Sequence, residues 1–284
     1  MTRYIFTVAA GRSGQSSLTD LLDRHVFDCW AAVEEPKVDC VLPGRWGQYE
    51  RRFRRRFFET HELLGRGKVL QAYSEGNDDY LEQIVRQKLR NIQRKLRRRD
   101  ASIYIDVSKY FARGQHLGYL KVLPQFSLIH LVRDPLKNMR SFLNRNKDFY
   151  LDNGPPDSKF NHLRLKASDL NKGELYLWAW CELHLRFQAL AADAKVDKAI
   201  EIRTDDLTNE DKMTALLKAL DLRHKPLELT PPMNTNVFLG FPETKVQVED
   251  VELFRQFVQK IPGEQFDRIQ YFHDYDPNSA LPRG

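Results

Sequence analysis

Short runs of branched and aromatic residues alternate along the chain with longer stretches whose apolar positions recur every three or four residues. The short runs, at 4–10, 103–107, 128–132 and 199–202, are bounded by polar or turn residues, and 29–33 is a weaker fifth. Uninterrupted apolar runs of that length predict buried strands. Helical spacing predicts helices over 16–24, around 48–64, and over 81–98, 135–144, 174–192 and 209–220. Strand alternating with helix implies an α/β fold, with a parallel sheet of four or five strands covered by helices on both faces. The length fits a single domain over 1–284, with 41–100 as a helical basic insertion. Asn153-Gly-Pro-Pro-Asp157 and Thr230-Pro-Pro-Met233 read as loops too short to be domain linkers, and 277–284 is expected to fray.

Composition narrows the class. Hydrophobic residues at 42% and aromatics at 11% supply a sizeable core and exclude global disorder. Forty-five Lys and Arg against 39 Asp and Glu leave a net charge of +6. That favours an anionic partner: a phosphate ligand, an acidic glycan, nucleic acid or an anionic membrane. Cys29, Cys40 and Cys181 have no C-x-x-C spacing, so neither a disulfide framework nor a zinc cluster is expected, and a reducing compartment suits them. The apolar run at the start leads into a glycine loop rather than a cleavage site, and no stretch approaches the roughly 18 apolar residues of a membrane span. A soluble, cytoplasmic protein is the expectation.

The first strand runs directly into Gly11-Arg-Ser-Gly-Gln-Ser-Ser17 and then an amphipathic helix start. Strand, glycine loop and helix together make an anion site: the backbone folds close to a phosphate, and successive N–H groups and the helix N-terminus point at it. Ser13, Ser16 and Ser17 add hydroxyls, Gln15 an amide, and Arg12 a planar charged fork. A nucleoside triphosphatase or kinase loop wants G-x-x-x-x-G-K-[ST]. Here Ser17 stands where the lysine should be and Leu18 where the magnesium-binding hydroxyl should be. Ile103-Tyr-Ile-Asp106 argues the other way, as an apolar strand ending in a metal-binding aspartate.

The loop resembles the 5′-phosphosulfate-binding loop of sulfotransferases that use 3′-phosphoadenosine 5′-phosphosulfate (PAPS). Arg-Ser-Gly-x-Ser-Ser is closer to the carbohydrate sulfotransferases and their bacterial relatives than to the branch that carries a lysine where Arg12 stands. A second element supports the resemblance. The strand at 128–132 leads into Arg133-Asp-Pro-Leu-Lys-Asn-Met-Arg-Ser141, similar to the family's 3′-phosphate motif, with a serine eight residues after the arginine. The resemblance implies a P-loop-like nucleotide-binding core. Gly11 to Ser17, Arg133 and Ser141 would hold PAPS as co-substrate, and no metal would be needed. It also implies a hydroxylated acceptor on a carbohydrate, and the basic charge points to an acidic glycan.

Val33-Glu-Glu-Pro36 matches a Glu-Pro that follows the second strand in that family and supplies a general base. Glu35, which precedes the proline, is the expected base, with Glu34 facing the other side of an extended segment. His25 and Asp106 are lesser candidates. Arg12 would stabilise charge on the leaving phosphate, and Lys109 is placed to approach the sulfonate. Ile202-Arg-Thr-Asp-Asp-Leu207 matches a later turn of the family only loosely. The basic stretches at 51–56 and 86–99 offer either a solvated face or a polyanion surface, and Trp178, Trp180 and Phe187 are expected in the core. The rivals are a P-loop kinase or nucleoside triphosphatase without its lysine, and a basic nucleic-acid-binding protein, which lacks any recognisable reading motif.

Overall fold

Three nearly continuous buried runs form the middle of the sheet. In the computed structural model, β1 (Arg3–Ala9) lies between β3 (Ile103–Asp106) and β4 (Phe126–Val132). β2 (Cys29–Ala32) and β5 (Val196–Arg203) close the two edges, giving the order β2-β3-β1-β4-β5 with every pairing parallel. The structure describes residues 2–36, 41–57, 61–145, 147–229 and 245–282. Cys40 and the loop at 230–233 lie outside those residues.

Side chains alternate across the sheet. Ile5, Ala9, Ile105, Ile129 and Leu131 face one side, where they meet Leu18 and Leu22 of α1 (Gln15–His25). Met213 and Leu217 of α9 (Glu210–Ala219) complete that layer. Tyr4, Phe6, Val8, Tyr104 and Leu128 face the other side. There they pack on α5 (Asp78–Arg99), α6 (Gln115–Val122) and α8 (Lys172–Ala191) through residues such as Leu89, Tyr119 and Leu183. A further cluster joins α7 (Pro135–Leu143), α8 and α10 (Val248–Gln259) around Met139, Trp178 and Phe254.

The chain leaves β1 towards β2 through α1 and returns to β3 through α5; α6 then steps over β1 to β4. The order therefore reverses about β1, and the crevice for a ligand lies at the C-terminal ends of β1 and its neighbours.

Of the expected helix over 48–64, the described residues form α2 (Gly44–Phe57) and α3 (His61–Leu64), with 58–60 outside them, and α4 (Lys68–Glu75) follows. α5, by contrast, is the crossover helix of the core, with Val85, Leu89, Ile92 and Leu96 buried against Trp30 and Tyr104.

Candidate active site

The loop after β1 is held from outside. Ser13 Oγ donates to the Ala10 carbonyl at 2.5 Å, Asn138 Nδ2 to Gly11 O at 2.8 Å, Arg133 Nη1 to Arg12 O at 2.7 Å and Thr204 Oγ1 to Ser13 O at 3.0 Å. Four consecutive carbonyls are thus taken by side chains. In a planar trans peptide the following N–H points the opposite way, so the amides of Gly11, Arg12, Ser13 and Gly14 turn towards the other side of the loop. Such successive inward amides at a helix N-terminus make an anion cradle. The turn needs a left-handed backbone at Arg12 (φ 73°) and Gly14 (φ 83°). For arginine that conformation costs about 1–2 kcal/mol, strain of the kind held at functional sites. A Cβ on Gly14 would stand 2.8 Å from Leu207 Cδ1, so the cradle is also closed to a larger residue.

The two phosphate motifs meet here. Arg12 Nε donates to Ser141 Oγ at 3.2 Å, while Arg133, at the end of β4, grips the Arg12 carbonyl. α7 starts with Pro135 after an Asp134 N-cap that accepts from Lys137 N, which aims Asn138 and Ser141 at the loop from one helix face. Burial, and then the neighbouring Arg145 and Arg133, push the Arg12 guanidinium down to about 10. Burial also lowers Arg133 and Arg145. Arg12, desolvated and repelled by two further desolvated guanidiniums yet still charged at neutral pH, makes this a place suited to a polyanion. Beside Arg133 opens a cavity of about 600 Å³, lined among others by Lys137, Arg203, Thr204, Asp205 and Tyr271, a volume usual for a small-molecule site.

A second cluster flanks the loop on the β3 side. The Lys109 stem lies against Gly11, whose Cβ would stand 2.8 Å from Lys109 Cδ. Lys109 Nζ is 2.9 Å from Asp152 and 3.8 Å from Glu34. Arg66 reaches Asp152 at 3.0 Å, Tyr110 donates to it at 3.0 Å, and Arg113 donates to its carbonyl. Burial works against the Lys109 ammonium, but Glu34, Tyr110 and Asp152 outweigh it and hold its pKa above the usual lysine value. Burial likewise opposes the Asp152 carboxylate, yet Lys109, Arg113 and Arg66 keep it ionised far below the usual carboxylate range.

The base candidates separate. The segment is not extended, since Glu34 has a left-handed backbone (φ 52°), and Glu34 is the one beside Lys109 and the loop. Glu35 is buried at the sheet edge in an ion pair with Lys95 of α5. His25 sits at the far end of α1, about 16 Å along the helix from the cradle. Asp106 is fully buried and paired with Lys88 at 3.0 Å; burial raises its pKa despite that lysine. Neither His25 nor Asp106 is in reach of a ligand in the cradle.

Asn138, Thr204 and Trp180 were not picked out by sequence as site residues. Trp180 Nε1 donates to the Arg133 carbonyl at 2.9 Å, and the Thr204 hydroxyl, also 3.1 Å from Val132 O, shares its one proton between that carbonyl and Ser13 O. Only position 204, in the loosely matched turn, carried a hint. Trp178 and Trp180 are nonetheless buried in the core as expected, and Phe187 packs partly buried against it, stacked on His130. Among the described residues one group has the side chains for a cation: His130, His184 and Glu201, with His130 Nδ1 2.9 Å from Glu201.

No protein-family model matches the chain, and no curated protein matches it in sequence. Solved structures resemble it in fold. The sulfotransferase domain of the olefin synthase from Synechococcus PCC 7002 superposes with a TM-score of 0.51 at 14% identity, over 99% of this chain and 96% of that one. The sulfotransferase domain of the curacin biosynthetic pathway gives 0.48 at 12% identity, over 99% of each chain. A sulfotransferase from Alicyclobacillus acidocaldarius gives 0.41 at 14% identity, again over 99% of each. The fold is that of a sulfotransferase domain, a single α/β unit with a P-loop-like core.

Proposed function

We propose that the protein is a PAPS-dependent sulfotransferase acting on a hydroxyl, on an acidic carbohydrate. One observation carries the reading: the 5′ loop and the Arg133–Ser141 motif, over a hundred residues apart in sequence, interlock through Arg12. That is the arrangement a ligand with separate 5′ and 3′ phosphates requires. Gly11 to Ser17 would cradle the 5′-phosphosulfate, and Arg133 and Ser141 would take the 3′-phosphate.

In the reaction the acceptor oxygen attacks sulfur in line. The new S–O bond forms as the bond to the 5′-phosphate oxygen breaks. The electron pair leaves with the phosphate, where Arg12 and the loop amides offset its charge. The acceptor proton passes to a carboxylate, and the geometry favours Glu34 over Glu35 for that role. Lys109, between Glu34 and the loop, is placed to hold a sulfonate oxygen. Arg66, Arg113 and Lys109 around Asp152 give the acceptor side a cationic excess that suits an acidic glycan. The free thiols of Cys29 and Cys181 suit a cytoplasmic setting.

The decisive measurement is a thermal shift with 3′-phosphoadenosine 5′-phosphate beside 5′-AMP, ATP and GTP. A ligand at 100 times its dissociation constant stabilises by about 2.7 kcal/mol. The 3′-phosphorylated nucleotide should shift the wild type strongly and 5′-AMP weakly. Arg133→Ala should erase most of the difference, since a charged hydrogen bond is worth about 1.5–3 kcal/mol. Equal shifts with both nucleotides would sink the assignment. A shift with ATP that requires magnesium would favour the kinase or triphosphatase reading instead.

A further inference from the structure

α2 differs from the other helices in what it shows to water. Trp46, Tyr49 and Phe53 follow one another at helical spacing on one stripe and are 69%, 63% and 55% exposed. An ordinary surface helix buries such a stripe. Val41 and Leu42, also exposed, extend the patch. Glu50 Oε2 accepts from the amides of both at 2.8 Å, which pins this aliphatic pair to the helix. The other Glu50 oxygen lies 3.2 Å from Arg54, so the one carboxylate of the helix is engaged at home. Against it the 14 residues of α2 carry six arginines.

A basic helix with an exposed indole, phenol and phenyl stripe has the chemistry of a bilayer surface. Guanidiniums meet phosphate headgroups, while amphipathic rings settle at the hydrocarbon boundary. A solvated polyanion such as an acidic glycan or RNA would answer the basic charge of the helix and leave Val41 and Leu42 in water. A lipid surface satisfies both halves. We propose that α2, with Val41 and Leu42, docks the protein on anionic phospholipid, the helix lying in the headgroup plane. The contact is peripheral: among the described residues no helix is long and apolar enough to cross a membrane. This reading does not depend on the nucleotide assignment.

The test uses the full chain with vesicles of phosphatidylcholine, with and without phosphatidylserine, followed by sedimentation and tryptophan emission. Trp30, Trp178 and Trp180 are already buried, so a blue shift on binding reports Trp46 alone. The protein should sediment with the serine lipid only, shift to the blue, and release as salt is raised. Trp46→Phe should still sediment, within about two-fold of wild type, but lose the spectral shift. Replacing Trp46, Tyr49 and Phe53 together by Ser should lower vesicle partition by roughly ten-fold or more, with the circular dichroism unchanged. No sedimentation with phosphatidylserine vesicles would overturn the proposal. So would partition that survives the triple replacement, a blue shift that survives Trp46→Phe, or retention by heparin without binding to vesicles.

Discussion

Gly14 is where a single atom decides the most. Its φ of +83° disfavours any L side chain, and Leu207 and Thr204 already occupy the space a Cβ would need. Gly14→Val should therefore abolish the thermal shift given by 3′-phosphoadenosine 5′-phosphate, while the circular dichroism keeps its α/β shape. A retained nucleotide shift would show that the cradle is not where the phosphate sits. The carboxylates at 34 and 35 give the next test. Glutamine keeps the shape of glutamate but takes no proton, so loss of a general base should cost about 10²–10⁴-fold in turnover. Glu34→Gln should show that loss with nucleotide affinity near wild type. Glu35→Gln should instead lower stability, because it leaves Lys95 without its buried partner carboxylate. Turnover measured with labelled PAPS and a competent acceptor separates the two. If Glu35→Gln is the slow variant, the proton goes towards α5 and not towards the loop.

At the scale of elements, α8 supports the site from behind. It starts with a complete capping box, Asn171 accepting from Glu174 N and Glu174 from Asn171 N. It is apolar nearly all round because the sheet covers one side and α7 and α10 the other. Trp180 on this helix stacks on Phe272 and holds the Arg133 carbonyl. Trp180→Phe keeps most of the packing and drops the donor. An unsatisfied buried carbonyl costs about 1–3 kcal/mol, so the melting temperature and the affinity for 3′-phosphoadenosine 5′-phosphate should fall together. An affinity that does not move would separate α8 from the site. The strands that frame the cleft were legible in sequence because each is a short apolar run ending in turn residues. α6 was not, because Gly118 lets it pack so closely on α5 that a Cβ would run into the Leu81 carbonyl, and a buried helix shows no polar face to read. Arg12, Arg133 and Ser141 were legible as motif residues. Asn138 and Thr204 were not, since a side chain that ties a distant carbonyl leaves no periodic trace. The extended segment expected at Glu34 and Glu35 is a bend with a left-handed backbone at Glu34, so their places beside Lys109 and Lys95 depend on other elements and not on alternation.

For the molecule as a whole, three buried histidines link stability to acid. Burial lowers His130 despite Glu201, burial and the nearby His130 hold His184 well down, and burial, with Arg186 beside it, depresses His116 to about 3. In the unfolded chain all three take up protons near pH 6.5. Below that pH the unfolded state binds more protons than the folded one, so stability falls as pH drops, by up to about 1.4 kcal/mol per unit for each histidine. The melting temperature should decline between pH 7 and pH 5, and His116→Gln should make the decline shallower. A flat profile over that range would mean that the imidazoles are solvated. The interlock of the two phosphate motifs has another consequence, for anyone wishing to move this site elsewhere. Gly11 to Ser13 keep their shape only because Arg133 and Asn138, from the stretch after β4, and Thr204, from the stretch after β5, hold their carbonyls. The heptapeptide grafted alone onto a foreign strand and helix would collapse onto its own carbonyls. The smallest portable unit is the ends of β1, β4 and β5 together, so a designer would have to transplant half a sheet to carry seven residues.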